Sequence, residues 1–377
     1  MVDLTAMVMG PVATQVMADM GADIIKIEIP SGDTTRYISV GPEPGMSGVF
    51  VNTNRGKRSV VLDLKTDDGK NKLRKIIETA DVFIHSFRGK AINSLGFSYA
   101  EVSAIKPDIV YTNCYGYGRD GPSRDLTAYD DIIQAECGIA AMQSMMTGEP
   151  GFAATIIADK VSGMTALYAT LLALFHRERT GEGQEVEVGM FEAMSAFMLT
   201  EHANGAIFTP PTTPAYYQRA VSPNRKPYQT RDGYMAAMVY NDKQWSKFVA
   251  AVKPGYGDNP NYATLEKRAA HVDEVYALLG ATFLERTTQE WLALFGALDI
   301  PAAPLNTPAM LFENDHLNAV DFFQTVETQH GPVRFPGVAA RFSQTPGHVS
   351  GPAPTLGEHT DEVLAELGLS SKTQKPD

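Results

Sequence analysis

Cysteine is scarce, with only Cys114 and Cys137 in 377 residues. Two thiols in so long a chain make no disulfide framework, so a reducing compartment, the cytoplasm, is expected. Positive charge is also short: 32 Lys and Arg stand against 44 Asp and Glu, a formal net charge of -12. A nucleic-acid binder needs a basic face to neutralise phosphates, so nucleic acid is not an expected partner. A local basic cluster on an acidic protein still suits a small phosphate-bearing ligand. The 8 histidines are scattered, and no His/Cys grouping has metal-ligand spacing, so no metal is expected. No apolar run approaches the roughly 20 residues of a membrane helix, so no membrane association is expected. The opening stretch, MVDLTAMVMGPVATQ, has no basic region ahead of a long apolar core and does not read as a signal peptide.

What is present is the composition of a globular protein, 44% hydrophobic and 20% charged, with length enough for two cores. Short apolar runs alternate with helical patterns in the first half. DIIKIEI (23–29), RSVVLDL (58–64), DVFIHSF (81–87), DIVYTNC (108–114) and QEVEVGMF (184–191) read as strands. Helical patterns cover 12–20 and a stretch opening at Asp67-Asp68-Gly69, whose Leu73, Ile76 and Ile77 share one face. Near-continuous apolar strands separated by helices predict an α/β fold with a parallel sheet covered on both faces. The longest helical signal, about 159–179, has little polar face and predicts a buried helix ending at Thr180-Gly181. After about residue 203 the composition shifts, and the proline-rich 209–214 reads as a crossing between domains. A second unit with one strand (YMAAMVY, 234–240) and helices around Trp245 and Trp291 follows.

Several motifs invite chemistry. Gly116-Tyr117-Gly118-Arg119-Asp120-Gly121 is a GxGxxG after a strand, but Pro122 follows where a dinucleotide fold starts its helix, so a plain glycine-rich loop is the better reading. Asn54-Arg55-Gly56-Lys57-Arg58 is a basic cluster in a connection beside a strand, where α/β sheets bind ligands, and a ligand with several phosphates suits it. Met142, Met145 and Met146 suit either core packing or an adaptable acyl pocket. Cys137, with no histidine near it in sequence, reads as a small buried residue. Asp159 opens the long helix. Its residue type is a favoured N-cap, and a carboxylate in that place is equally a nucleophile toward an activated acyl group. Gly163, one turn on, permits a close approach.

Taken in order, the segments resemble one family. They run GPVATQ (10–15), MGADIIKIE (20–28), GDTTR (32–36), NRGKR (54–58) with LDLK (62–65), SFR (86–88), and GYG (116–118) with Gly121-Pro122. Ala158-Asp159 with Gly163, RTGEGQ (179–184), Asn241-Asp242 with Trp245, and LGEHT (356–360) complete the series. The chain resembles the class III CoA-transferases, which include formyl-CoA transferase, carnitine CoA-transferases and α-methylacyl-CoA racemase. The resemblance implies a Rossmann-like large domain built from both chain ends and a smaller α+β domain, in a homodimer of interlocked rings. The expected division is 1–203 for the large CoA-binding domain, 204–232 for a crossing linker, 233–325 for the small domain and 326–377 for a return into the large one.

The resemblance also implies roles. Asp159 matches the aspartate that attacks an acyl-CoA thioester. Val8, Met9, Leu62, Asp63, Leu64, Lys65, Ser86, Phe87, Arg88, Tyr129 and Asp130 match stretches lining the CoA site. Ile29 and Ser94 stand where formyl-CoA transferase has CoA-binding arginines, which leaves Arg36, Lys57, Arg58 or Arg88 to hold the adenosine end. The glycine-rich flap of formyl-CoA transferase is absent, which argues against formate–oxalate specificity. CoA or acyl-CoA is implied as substrate, with no permanently bound cofactor, and a small carboxylic acid as the other partner. Racemase members pair an aspartate with a histidine, and that histidine would fall at Tyr129. A phenol with an ordinary pKa near 10 is a poor base at neutral pH, which favours transferase over isomerase.

Overall fold

The computed structural model describes residues 1–370 as two compact units. The first comprises 1–137, 153–197 and the chain from Asp315 on, and the second Gly138–Phe152 and Met198–Asn314. The second unit therefore takes in both a segment expected in the large domain and the proline-rich stretch expected as a crossing. That stretch is a local turn: the Thr212 amide donates to the Gly205 carbonyl (3.0 Å), and the Gly205 amide donates to Thr213 Oγ1 (2.9 Å).

The first unit is organised by a six-stranded parallel sheet of β1 (Val2–Leu4), β2 (Ile25–Glu28), β3 (Arg58–Val61), β4 (Val82–His85), β5 (Val110–Tyr115) and β6 (Gln184–Gly189). Their order across the sheet is β3-β2-β1-β4-β5-β6, that of a doubly wound dinucleotide-binding sheet. β1 lies at the centre, its Val2 aligned with Ile25 on one side and Phe83 on the other. The order in which strands are added reverses between β1 and β4, the switch point outside which such sheets bind ligands. The core is apolar, with Val60, Leu73, Ile76, Ile77, Phe83, Ile109 and Tyr111 at 0–1% exposure. Close to the chain's end, the amides of Ser59 and Val61 donate to His359 Nδ1 and Thr360 Oγ1, so the edge strand β3 is covered. A hairpin of β10 (Phe323–Thr328) and β11 (Gly331–Pro336) completes this unit. The second unit holds an antiparallel sheet of β7 (Tyr228–Gln229), β8 (Tyr234–Ala237) and β9 (Ala302–Pro304), around an aromatic core of Phe248, Phe283, Trp291 and Phe295.

Three helices position the candidate site: α1 (Met9–Asp19), α2 (Asp130–Glu136) and α3 (Ile157–Thr180). Gly163 of α3 lies against α1 so closely that a Cβ there would stand 2.5 Å from the Met9 carbonyl oxygen and 3.3 Å from Val12 Cβ. Neither neighbour is a flexible side-chain end. Gly163→Val is expected to prise α1 from α3 and lower stability by about 2–3 kcal/mol, read as a fall in the denaturation midpoint. An unchanged midpoint would mean that the contact is slack.

Helix α3 is less buried than its composition suggests. Met164, Tyr168, Leu171, Leu172 and Phe175 form one stripe, each 49–63% exposed. By length and composition this 24-residue helix is apolar enough to cross a membrane, contrary to the expectation from the sequence. Its other face carries Ala158, Ser162, Gly163, Ala166, Leu167, Thr170 and Ala173, all buried within the first unit.

Candidate active site

The first turn of α3 brings the carboxylates together. Its N-cap position is Ile156, not Asp159, and no side chain at that position caps the helix. The orphan amides of Ala158 and Asp159 instead donate to Asp130 Oδ1 at 2.7 and 3.2 Å. Asp130 is itself the first residue of α2, and its other oxygen accepts from Gln134 Nε2 one turn on. Gln134 also accepts from the Ala153 amide (2.8 Å), which fixes the approach to α3. Capping from α2 leaves the Asp159 side chain free, in the third position of the turn. It stands one turn before Gly163, so the two share a face toward α1.

On that face the Met9 backbone amide lies near enough to the Asp159 carboxylate to favour its charged form. Met9 opens α1, whose N-cap side chain makes no capping bond, and first-turn amides have no preceding turn to accept them. Burial and then the Asp130 charge push the Asp159 carboxyl up to about 6, against the Met9 amide, which lowers it. Ionisation that close to neutrality leaves the group a carboxylate at neutral pH, and a more basic nucleophile than an ordinary aspartate. A nucleophilic role for this carboxylate would make acylation by a thioester rise with pH through about 6 and level off above it. Asp130→Asn, which keeps a capping side chain and removes the charge, should move the inflection toward acid. A stopped-flow pH profile reads both, and a flat profile between pH values on either side of 6 would contradict the assignment.

The loop from β1 to α1 that delivers Met9 is anchored by buried charges. Met7 adopts a left-handed backbone (φ 66), and its amide donates to Asp33 Oδ1 at 3.3 Å. Lys26 Nζ donates to the Thr5 carbonyl at 2.8 Å and pairs with Asp33 Oδ2 at 3.0 Å. The Ala6 amide donates to Ser86 Oγ at 2.9 Å, joining this loop to the end of β4 across the switch point. Lys26 and Asp33 fall in the segments MGADIIKIE (20–28) and GDTTR (32–36), where nothing in the sequence signals that they pair.

The other candidate residues divide into two groups. Val8 and Met9 follow β1, Leu62 to Lys65 follow β3 and Ser86 to Arg88 follow β4, so all lie at the carboxyl edge of the sheet. Leu62 and Leu64 are buried, while Asp63 and Lys65 are exposed; Phe87 packs against the core. Tyr129, at the N-cap position of α2, is 57% exposed, and Asp130 is 7% exposed. Arg88 is exposed and donates to Thr127 Oγ1 and the Asp125 carbonyl, and neither Arg88 nor Lys65 has an ion-pair partner among the described residues.

The second group is used up internally. Arg36 is 1% exposed, its guanidinium held by both Glu28 oxygens (2.6 and 2.8 Å) and stacked on Phe50. Lys57 is 3% exposed and donates to Asp3, Asn54 and the Pro11 carbonyl. Arg58 pairs with Asp23, Glu362 and Glu366. Arg36 and Lys57 thus present no donor to a surface ligand, and the acids that bind them, Glu28 and Asp3, lie on β2 and β1.

The remaining motifs are structural. In the glycine-rich loop the amides of Gly118 and Arg119 donate to Glu192 and Glu187, so carboxylates occupy the donors a phosphate would need. Cys114 is buried, and burial raises its thiol well above the usual range. Met142 and Met146 are half-buried and Met145 is exposed.

The profile of CoA-transferase family III matches residues 1–360, almost the whole described chain. The chain belongs to this family. Among characterised CoA-transferases it is similar to succinate–glutarate CoA-transferase of Agrobacterium fabrum, 33% identical over 100% of this chain and 96% of that one. It is also similar to succinyl-CoA:glutarate CoA-transferase of Mus musculus, 29% identical over 97% and 84%. A crystal structure of a CAIB/BAIF family protein from Brucella suis superposes with a TM-score of 0.81 at 30% identity, covering 97% of each chain. The chain is thus an enzyme of the class III CoA-transferases, in a fold shared with solved relatives.

Proposed function

We propose that this CoA-transferase moves CoA from an acyl-CoA donor to a free carboxylic acid, with the Asp159 carboxylate as covalent carrier. The observation that carries this reading is a half-buried carboxylate, raised toward neutrality, facing the amino end of α1 at the switch point. An Asp159 oxygen attacks the thioester carbonyl, the C–S bond breaks, and CoA leaves as thiolate from an aspartyl-acyl anhydride. The thiolate then attacks the aspartyl carbonyl and expels the donor acid, leaving an aspartyl-CoA thioester. The acceptor carboxylate attacks that thioester and forms a second anhydride. The returning thiolate takes the acceptor's acyl group and restores Asp159. Each step replaces one activated acyl bond by another, so no energy source is needed, and restricted solvent access protects the anhydrides from hydrolysis. The Met9 and Gly10 amides at the start of α1 are the oxyanion donors.

Lys65 and Arg88, exposed at the same edge without ion-pair partners, are the cations that this reading assigns to the CoA phosphates. Dicarboxylic acids are the first candidate substrates, because relatives in Agrobacterium fabrum and Mus musculus are named for succinate or succinyl-CoA and glutarate. A second copy of the chain covers the exposed stripe of α3, a contiguous apolar surface of the kind that marks protein contacts.

The test is incubation with succinyl-CoA and glutarate in deuterated water, read by mass spectrometry. Transfer predicts glutaryl-CoA and succinate in equal amounts, with no deuterium at the α-carbon. Deuterium incorporation without transfer would instead support an isomerase.

A further inference from the structure

The second unit contains a pocket of about 120 Å³ to which the transfer chemistry above assigns no role. Its lining is mostly aliphatic and aromatic, with Tyr228, Val239, Val275 and Leu279 all buried. An arginine sits on its wall. Arg219 is half-buried, donates from Nε to Tyr276 Oη (2.8 Å), reaches Met238 Sδ at 3.5 Å and lies over the Tyr240 ring at 5.5 Å. It has no carboxylate partner among the described residues. The pocket's other arginine, Arg268, is by contrast fully engaged by Asp242 and by the Tyr262 and Tyr240 carbonyls.

A guanidinium carries five N–H donors in a fork that matches a carboxylate. Here a phenol and a thioether take two donors and neutralise nothing. A half-buried cation beside an apolar cavity favours an anion that brings its own apolar body. The cavity is close in size to one of about 150 Å³ that holds a benzene ring. One unpaired cation fits one negative charge, and a dicarboxylate would put its second charge against the aliphatic wall at a desolvation cost.

We propose that this pocket binds an apolar monocarboxylate with a body about the size of one aromatic ring. The pocket is built from the second unit alone, whereas Asp159 belongs to the first, and it selects against the short dicarboxylic acids proposed as substrates.

Isothermal titration of the full-length enzyme with benzoate, benzamide and glutarate tests this. Benzoate should bind saturably, and benzamide and glutarate should bind at least about tenfold more weakly, the equivalent of one charge-assisted hydrogen bond. Arg219→Gln should weaken benzoate binding by at least about tenfold. Ala269→Phe, at an exposed lining position, should do the same by filling the cavity while leaving Arg219 in place. Asp159→Ala and saturating CoA should leave benzoate binding unchanged, which keeps this result independent of the transfer mechanism. The proposal fails if benzoate does not saturate, if both pocket variants bind it like the native protein, or if CoA displaces it.

Discussion

Asp159→Asn is expected to reduce CoA transfer by about 10⁴-fold or more while leaving the fold as stable as the native protein. The activity loss follows from chemistry: an amide oxygen at neutral pH does not attack a thioester, and no second carboxylate stands in the same place. Asp130, the neighbouring carboxylate, has one oxygen committed to the amides of Ala158 and Asp159 and the other to Gln134. The retained stability follows from the same geometry. Asp159 does not cap α3, and its charge sits close to that of Asp130, so neutralising it removes a repulsion. Asp130→Ala should behave in the opposite sense, stripping the cap at a cost of about 1 kcal/mol. Steady-state transfer assays paired with denaturation midpoints separate the two. A purely structural Asp159 would show the reverse pattern, lost stability with retained turnover.

Lys57→Met is expected to be among the most destabilising single changes in the first unit, by about 3–5 kcal/mol. It strands Asp3, which is 0% exposed at the centre of the sheet. Burial works to raise the Asp3 carboxyl, but the ammonium groups of Lys57 and Lys26 outweigh it and hold the group at about 2. The sign of the pH dependence follows: the stability contributed by Asp3 is full above the ordinary carboxylate range and is lost as pH falls through about 2. Removing one partner leaves a buried charge short of its counter-ion, whereas removing both leaves a neutral interior. Asp3→Asn combined with Lys57→Met should therefore recover most of the loss, and a double-mutant cycle on denaturation midpoints measures the coupling. Strict additivity of the two changes would mean that the pair does not act as a unit.

The strands were legible in the sequence because a sheet covered on both faces needs near-continuous apolar runs: the runs at 23–29 and 81–87 each contain an observed strand, and 108–114 covers all but the last residue of another. The helix at Asp67–Glu78 was legible because Leu73, Ile76 and Ile77 repeat on one face and Thr66 caps it. The central strand β1 is not legible from periodicity, because three residues carry no period. Long-range partnerships escaped for a different reason. Asp130 caps a helix from 28 residues upstream, and the acids that pair with Arg36, Lys57 and Arg58 include Asp3, Asp23 and Glu28 on or beside other strands. A basic cluster has one appearance in sequence, whether it faces phosphates or buried carboxylates. The apolar length of α3 was read as burial, yet apolar composition does not say which face is covered, and the Met164–Phe175 stripe is exposed.

The central claim is that Asp159 carries the transferred group, and trapping the adduct tests it most directly. The enzyme is mixed with succinyl-CoA alone, quenched with hydroxylamine, digested and read by mass spectrometry. A covalent carrier predicts a hydroxamate on the peptide containing Asp159, formed only when succinyl-CoA is present and absent from Asp159→Ala. An unmodified Asp159 peptide, together with full transfer by Asp159→Ala, would contradict the account.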